Sequence, residues 1–330
     1  MINRMIWSAL ASIGLLWAGA APQAAAQSIA KPVTLVVPYA AGGGTDVVAR
    51  LIGQHMSRTL GQTVVVENVA GAGGTIANER VARSAPDGST VLINHVALLA
   101  APSLFTNLRY DTPTAFEPVG LVNNAPMVLI GRKSIPGDGP KDFVSWIKAQ
   151  GTKANFAHGG IGTNSHLSAV MMGNALGFKP TFVAYRGSGP AISDLLGGQI
   201  DFLWDQVTNG LPQIQTGALH GVAITSPQRL EQLKDVPTTA ELGMPEVSYT
   251  MWHGLYVAKG TPKETVAVLN AALRTALADA TVLERLKQLG TLPFPEGELT
   301  PEAHAKLFAS DLPRVTKLVE TAGVKASEAK

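Results

Sequence analysis

Along most of the chain, short continuous apolar runs alternate with longer segments whose apolar residues recur at helical spacing. This is the pattern of α/β domains built on mainly parallel sheets. Val33–Val37 reads as a buried strand. Asp46–Leu60 follows as a helix with Val47, Leu51, Ile52, Met56 and Leu60 on one side, and Gly61 ends it. Gln62–Val66 is the next strand and Thr75–Ser84 the next helix. Pro86-Asp87-Gly88 signals a turn before the strand Thr90–Asn94. From Pro126 the alternation restarts: strand Met127–Gly131, helix Lys141–Gln150, strand Lys153–His158, helix Asn164–Leu176, strand Pro180–Tyr185. Pro190–Leu196 is a short helix opened by proline, and Ile200–Asp205 and Gly221–Thr225 add strands. An extended segment, Tyr249–Lys259, leads into the strongest helical stretch, Lys263–Asp279, and a last helical region runs from about Pro301 to Thr321.

The two terminal helices are amphipathic and have no sheet of their own, so they are expected to fold back onto the first domain. That makes domain 1 discontinuous, 27–125 with 253–330, around a domain 2 of 126–252. The crossover segments fall near Asn123–Val128 and Thr250–Tyr256. Two α/β lobes joined by two crossovers form a hinged cleft, a place where ligands bind.

The N-terminus changes the picture. Arg4 precedes an uncharged, largely apolar run, Met5–Ala21, which is followed by Pro22 and Ala24-Ala25-Ala26. That is the order of a secretory signal, 1–26, with cleavage expected before Gln27 and a periplasmic destination. The apolar run is at the lower limit for a membrane anchor. No later stretch is long and uncharged enough to span a bilayer, so the mature protein is not expected to be membrane-embedded. The sequence contains no cysteine, which removes thiolate metal sites, cysteine nucleophiles and a lipoprotein anchor. One basic and no acidic residue lies in 1–26, so removing the signal lowers the formal net charge from +2 to +1. A near-neutral chain with few aromatic residues carries no footprint for nucleic acid.

The candidate chemistry sits in four loops of one kind: strand, glycines with a hydroxyl or carboxylate residue, helix. They are Pro38–Asp46, Ala70–Thr75, Gly159–Ser165 and Arg186–Pro190. Each presents free backbone N–H groups and the positive end of a helix dipole, and glycine lets a ligand oxygen approach the backbone. Thr45, Thr75, Thr163 and Ser165 add hydroxyl donors, so the preferred guest is an anion with planar or tetrahedral oxygens. A hydrogen bond to a charged group contributes about 1.5–3 kcal/mol, and micromolar affinity needs about 8 kcal/mol, so a few aligned N–H groups suffice. The bland alternative is that these are ordinary helix-capping connections. Asp46 is expected mainly as a helix cap, since its charge repels an anion. His95 and His166 are candidate ligand contacts at strand and helix ends. Arg186 is either a bidentate carboxylate partner or a surface arginine. Asp205 either faces the cleft or braces Arg186. No G-x-x-x-x-G-K-[ST], complete G-x-G-x-x-G, G-x-S-x-G or H-E-x-x-H is present, which argues against nucleotide, esterase and metalloprotease chemistry. No metal and no cofactor is expected.

With these residues laid out, the chain resembles the Bug family of extracytoplasmic solute receptors, the binding proteins of tripartite tricarboxylate transporters. The likeness rests on Pro38-Tyr39-Ala40-Ala41-Gly42-Gly43-Gly44-Thr45-Asp46 with Ala49-Arg50, and on Asn68-Val69-Ala70-Gly71-Ala72-Gly73-Gly74. It continues through Pro86-Asp87-Gly88, Gly162-Thr163-Asn164-Ser165-His166-Leu167, Tyr185-Arg186-Gly187 and Asp201–Asp205. The resemblance implies a two-lobed, periplasmic-binding-protein-like (Venus flytrap) fold that closes on its ligand. It implies a carboxylate end at Tyr39–Thr45, including Ala41, Gly43 and Gly44, and at Gly73, Gly74 and Thr75. The selectivity end falls to Thr163, Ser165, His166, Arg186 and Asp205, and Gly162 is a further ligand-binding candidate. Tyr39, Trp204 and Trp252 are candidates to face an aromatic ring. The expected role is capture of a mono- or dicarboxylate, aromatic acids such as terephthalate included, by a monomer that hands it to the transporter's membrane permease subunits. Two alternatives stand beside it: a sensor for a membrane two-component kinase, and an enzyme on the same scaffold using Ser165 with His166. Adjacent helical positions point to different sides, which disfavours that pair.

Overall fold

The computed structural model describes residues 29, 31–135 and 140–324, so the export-signal reading of 1–26 lies outside the described residues. The first strand, β1 (Val33–Val37), and the helix α1 (Gly44–Leu60) form as the pattern predicts, with Gly61 closing the helix at φ 62°. The buried stripe of α1 is rotated by one residue from the expected one: Val48, Ile52 and Met56 are in the core, whereas Val47 and Leu51 lie at its edge. Next come β2 (Val64–Asn68), α2 (Thr75–Ala82), β3 (Thr90–Asn94) and a helix not foreseen, α3 (Val96–Leu104). Seven of the residues in α3 are buried, so its apolar run has no polar side to show a period.

The decisive element is β4 (Phe116–Gly131). Its first part pairs antiparallel with β9 (Thr250–Ala258), ending at Pro126 against Thr250. Its last part, from Met127, pairs with β7 (Phe202–Gln206) on one side and β8 (His220–Ile224) on the other. One continuous strand therefore belongs to two sheets. The first has the order β2-β1-β3-β9-β4, with the short β10 (Leu292–Pro293) added at Asn123 and Asn124 of β4. The second carries β5 (Asn155–His158) and β6 (Thr181–Ala184) beyond β7. In both sheets the βαβ neighbours are parallel and the crossing strands antiparallel.

Helices cover both sheets. In the second lobe these are α4 (Pro140–Gln150), α5 (Asn164–Leu176), α6 (Ser188–Leu196) and α7 (Val207–Gln215), the last also unforeseen. The chain then returns through β9 to α8 (Lys263–Ala278), α9 (Ala280–Gln288) and α10 (Pro301–Ala322). Asp279, expected as the end of one helix, instead caps α9 by accepting from the Thr281 and Val282 N–H groups. Leu269, Leu273 and Leu277 of α8 share a core with Val48, Ile52 and Met56 of α1. Val315 and Val319 of α10 pack with Leu98, Leu99 and Leu104 of α3. The C-terminal helices thus lie on the first sheet. The core of the second sheet runs from Ala125 and Met127 to Met251, and Trp252 already belongs to the other side.

Candidate functional site

The carboxyl ends of the parallel strands in both lobes face each other, and the loops that leave them meet across a narrow seam. The Ala40 N–H donates to the Arg186 carbonyl at 2.7 Å, and the Gln206 amide donates to Thr45 Oγ1 at 2.9 Å. Glycines make this approach possible. A β-carbon on Gly187 would stand 2.9 Å from the Ala40 nitrogen, and one on Gly160 would stand 3.0 Å from the Gly73 α-carbon. One on Gly189 would overlap the Ala41 carbonyl oxygen.

At the seam lies a half-open cavity of about 30 Å³, room for about two waters at 10–15 Å³ each. Of the expected residues, Tyr39, Gly43, Gly44, Thr45, Asp46, His95, Thr163, Ser165 and Asp205 line it. Three helices, α1, α5 and α6, begin at its wall with Gly44, Asn164 and Ser188, so their unbonded first-turn N–H groups surround it. Beside it lies a second chamber of about 230 Å³, bordered by Gly73, Gly74, Phe105, Ile161, Tyr185 and Arg186. Tyr39 and Gly159 border both spaces. Arg186 is exposed and borders the larger chamber rather than the smaller cavity.

Four expected residues border neither space. Ala41 supplies the carbonyl that faces Gly189. Thr75 donates its hydroxyl to the Ala72 carbonyl, and Gly162 N–H donates to His166 Nδ1 at 3.3 Å. Their observed contacts shape the loops. Trp204 and Trp252 are corrections to the idea of an aromatic clamp. Trp204 lies in the core of the second lobe, and Trp252 is buried in the first with its indole N–H on Asp311 at 2.7 Å.

The charges are equally specific. Asp46 is not the N-cap; Gly43 holds that place. From the third position of α1 its carboxylate reaches back to the Gly42 N–H at 3.0 Å, and it also takes Arg50 and Asn68. Burial alone would raise its pKa, but these hydrogen bonds outweigh burial and hold it below the usual carboxylate range. Asp205 does not brace Arg186. It accepts from the Gln206 N–H, from Asn209 at 2.8 Å and from Ser188, yet burial dominates and pushes it up to about 6. His95 caps α3 through Nδ1, which accepts from the Ala97 N–H, and burial pushes its pKa down to about 3. Its ring stacks on Tyr39 with centroids 5.0 Å apart. The smaller cavity thus has two acidic side chains, a neutral histidine and no lysine or arginine on its wall.

Met127, Gly159, Asn164, Gly187, Ser188 and Gln206 also line the cavity and were not singled out from the sequence. Gly159, Asn164, Gly187 and Ser188 lie inside the recognised loops, so loop position was an available signal. Gln206 follows Asp205 at the start of α7, a helix that the pattern did not reveal.

Comparison with known proteins agrees with this architecture. Residues 48–324 match the model of the tripartite tricarboxylate transporter family receptor. A UPF0065 protein from the TAR-I ttuE-ttuC' intergenic region of Agrobacterium vitis is 40% identical over 323 residues, covering 98% of this chain and 92% of its own. The solved periplasmic binding protein BugD is 42% identical with a TM-score of 0.88, covering 90% of this chain and 99% of BugD. MatC from Rhodopseudomonas palustris, solved with bound malate, is 38% identical with a TM-score of 0.84, covering 88% and 99%. The bilobed α/β fold, the family match and these near full-length likenesses converge: the chain belongs to the tripartite tricarboxylate transporter receptor family, the group of the Bug periplasmic binding proteins.

Proposed function

We propose that this protein captures a small carboxylate between its lobes in the periplasm and delivers it to the membrane permease of a tripartite tricarboxylate-type transporter. The observation that carries the reading is the cavity at the seam, onto which three helix N-termini open and whose lining residues include no lysine or arginine. Backbone N–H groups and helix dipoles are sufficient to hold a carboxylate. In this reading the loops at Tyr39–Thr45 and Gly73–Thr75 grip one carboxylate, with Ala41 and Asp46 setting the first loop's shape. His95, Thr163, Ser165 and Asp205 read the rest of the molecule, Gly162 and His166 hold their loop in place, and Arg186 draws anions to the larger chamber.

The lobes of this reading are 27–125 with 253–330, and 126–252, in a monomer whose signal is cleaved before Gln27. The cavity at the seam is smaller than a four-carbon acid, so the ligand enters with the lobes further apart and widens the cavity when they close. MatC, a relative that binds malate, supports the size class. The test is native mass spectrometry of the protein isolated from periplasm without refolding, followed by calorimetry with three- to eight-carbon mono- and dicarboxylates. A co-purifying acid that also gives saturable heat is expected. A protein that carries no acid and responds to none of the series overturns the reading.

A further inference from the structure

The hydrogen-bond polarity at the cavity can be read from the hinge outward. The Asn124 carbonyl can only accept, so the Thr291 hydroxyl donates to it at 2.8 Å. Thr291 Oγ1 in turn accepts from Asn123 Nδ2 at 2.9 Å. Asn123 Oδ1 therefore faces His253 Nδ1 at 2.8 Å, which places the proton on Nδ1 and leaves Nε2 as an acceptor. Nε2 can take only the Thr45 hydroxyl proton, at 3.1 Å. Thr45 Oγ1 is then free to accept Gln206 Nε2, so Gln206 Oε1 is left without a donor, buried at the cavity wall. A second chain has the same result. His95 Nδ1 is already committed as an acceptor by the Ala97 N–H, so Asn164 must turn its Nδ2 toward it, at 3.2 Å. Asn164 Oδ1, likewise buried at the cavity wall, has no donor.

Both amide orientations are imposed from outside the site, and both leave an acceptor. Asp205, on the same wall, adds a third acceptor group and no cation answers it. From this we infer that the ligand is a small dicarboxylate bearing a hydrogen-bond-donating substituent, a hydroxyl or an ammonium group, which it turns toward Asn164, Gln206 and Asp205. The inference rests on the carboxylate-receptor reading and narrows it. An unsubstituted dicarboxylate satisfies the N–H groups of the helix ends but leaves buried acceptors unpaired, and sites built for a donor reject analogues that lack it.

The experiment is calorimetry of the intact mature protein against succinate, malate and aspartate, which share a four-carbon diacid frame. Malate or aspartate is expected to bind at least tenfold more tightly than succinate, and which of the two wins distinguishes hydroxyl from ammonium. Asn164→Leu is expected to compress that preference to within about threefold. Its melting curve and its succinate affinity report whether the site still forms. Succinate binding as tightly as both substituted acids overturns the inference while leaving the receptor reading intact. Silence toward every carboxylate in the wider three- to eight-carbon series overturns the receptor reading itself.

Discussion

Gly189→Ala is a small change aimed at the seam alone. Gly189 is the second residue of α6, and its φ lies outside the left-handed region that strains an alanine. The three atoms nearest to an added β-carbon, the Ala41 oxygen and carbon and the Gly42 carbonyl carbon, all belong to the opposite lobe. None of these three nearest atoms belongs to its own lobe, and alanine favours a helix more than glycine does. Closure, by contrast, must stop about 1 Å short, because carbon and carbonyl oxygen do not approach closer than roughly 3.3 Å without cost. An opening of that size breaks at least two of the hydrogen bonds that join the lobes, Ala40 to Arg186 at 2.7 Å and Gln206 to Thr45 at 2.9 Å. At a net 0.5–1.5 kcal/mol each, their loss amounts to about 1–3 kcal/mol of closure energy, or roughly 5- to 150-fold in affinity. The assay is calorimetric titration with an acid that saturates the parent protein, paired with small-angle scattering of the loaded form and a melting curve of the free form. The free variant is expected to melt at or slightly above the parent temperature. Affinity within twofold of the parent, together with an unchanged loaded radius of gyration, would refute the claim that the glycine seam sets closure. Gly160→Ala is a poorer probe, since Gly160 has φ 126° and alanine there strains the loop itself.

Two further predictions concern charge. Asp46→Asn removes the ionised acceptor of Arg50 and is expected to destabilise the protein by about 1–3 kcal/mol at pH 7, read from urea unfolding. The folded carboxyl titrates below its ordinary value, so its contribution is complete above the unfolded pKa and disappears as pH falls through the folded one. The parent should therefore lose stability below pH 4 more steeply than the variant. Asp205 has the opposite sign. Its folded pKa of about 6 lies above the ordinary 3.8, so the associated stability is present at pH 4 and declines as pH rises toward 6. Asp205→Asn should abolish that decline, which is about 3 kcal/mol at 1.36 kcal/mol per unit, and parallel stability–pH curves for the two proteins would contradict the assignment.

Much of the fold was legible because its punctuation is physical. Glycine at the end of α1, proline near the start of α6 and alternation of short apolar runs with amphipathic stretches all reflect backbone constraints that no packing overrides. Among the elements that escaped reading, α3 and α7 each lack a clean helical pattern, whereas α9 went unread although it is amphipathic. In α3 the run Val96–Leu104 buries seven of its nine residues and has only Ser103 as a polar member, and α7 interrupts its nine residues with Gly210 and Pro212. The strand β4 was read only from Met127 because Pro118, Gly120 and the Asn123-Asn124 pair look like loop residues. The structure puts them where the pairing with β9 shifts register, between Pro118 and Gly120 and between Leu121 and Asn124. Bulges tolerate what a regular ladder does not, so the same residues that disguise the strand let one chain segment serve two sheets.

The site divides along a similar line. The loops that form it were visible, because close approach of two backbones demands glycine and helix ends attract hydroxyl residues. Which side chain each loop turns inward was not visible, because that depends on partners far away in sequence. Arg186 borders the larger chamber because its carbonyl, not its guanidinium, is the group drawn across the seam to Ala40. Gln206 is the sharper case. Its amide points as it does because of a chain of five side chains ending at the carbonyl of Asn124, on the strand that joins the lobes. Opening the lobes must break the first link of that chain and free Gln206 to turn. The acceptor face that selects a ligand therefore exists only in the closed arrangement, and selectivity and closure become one event.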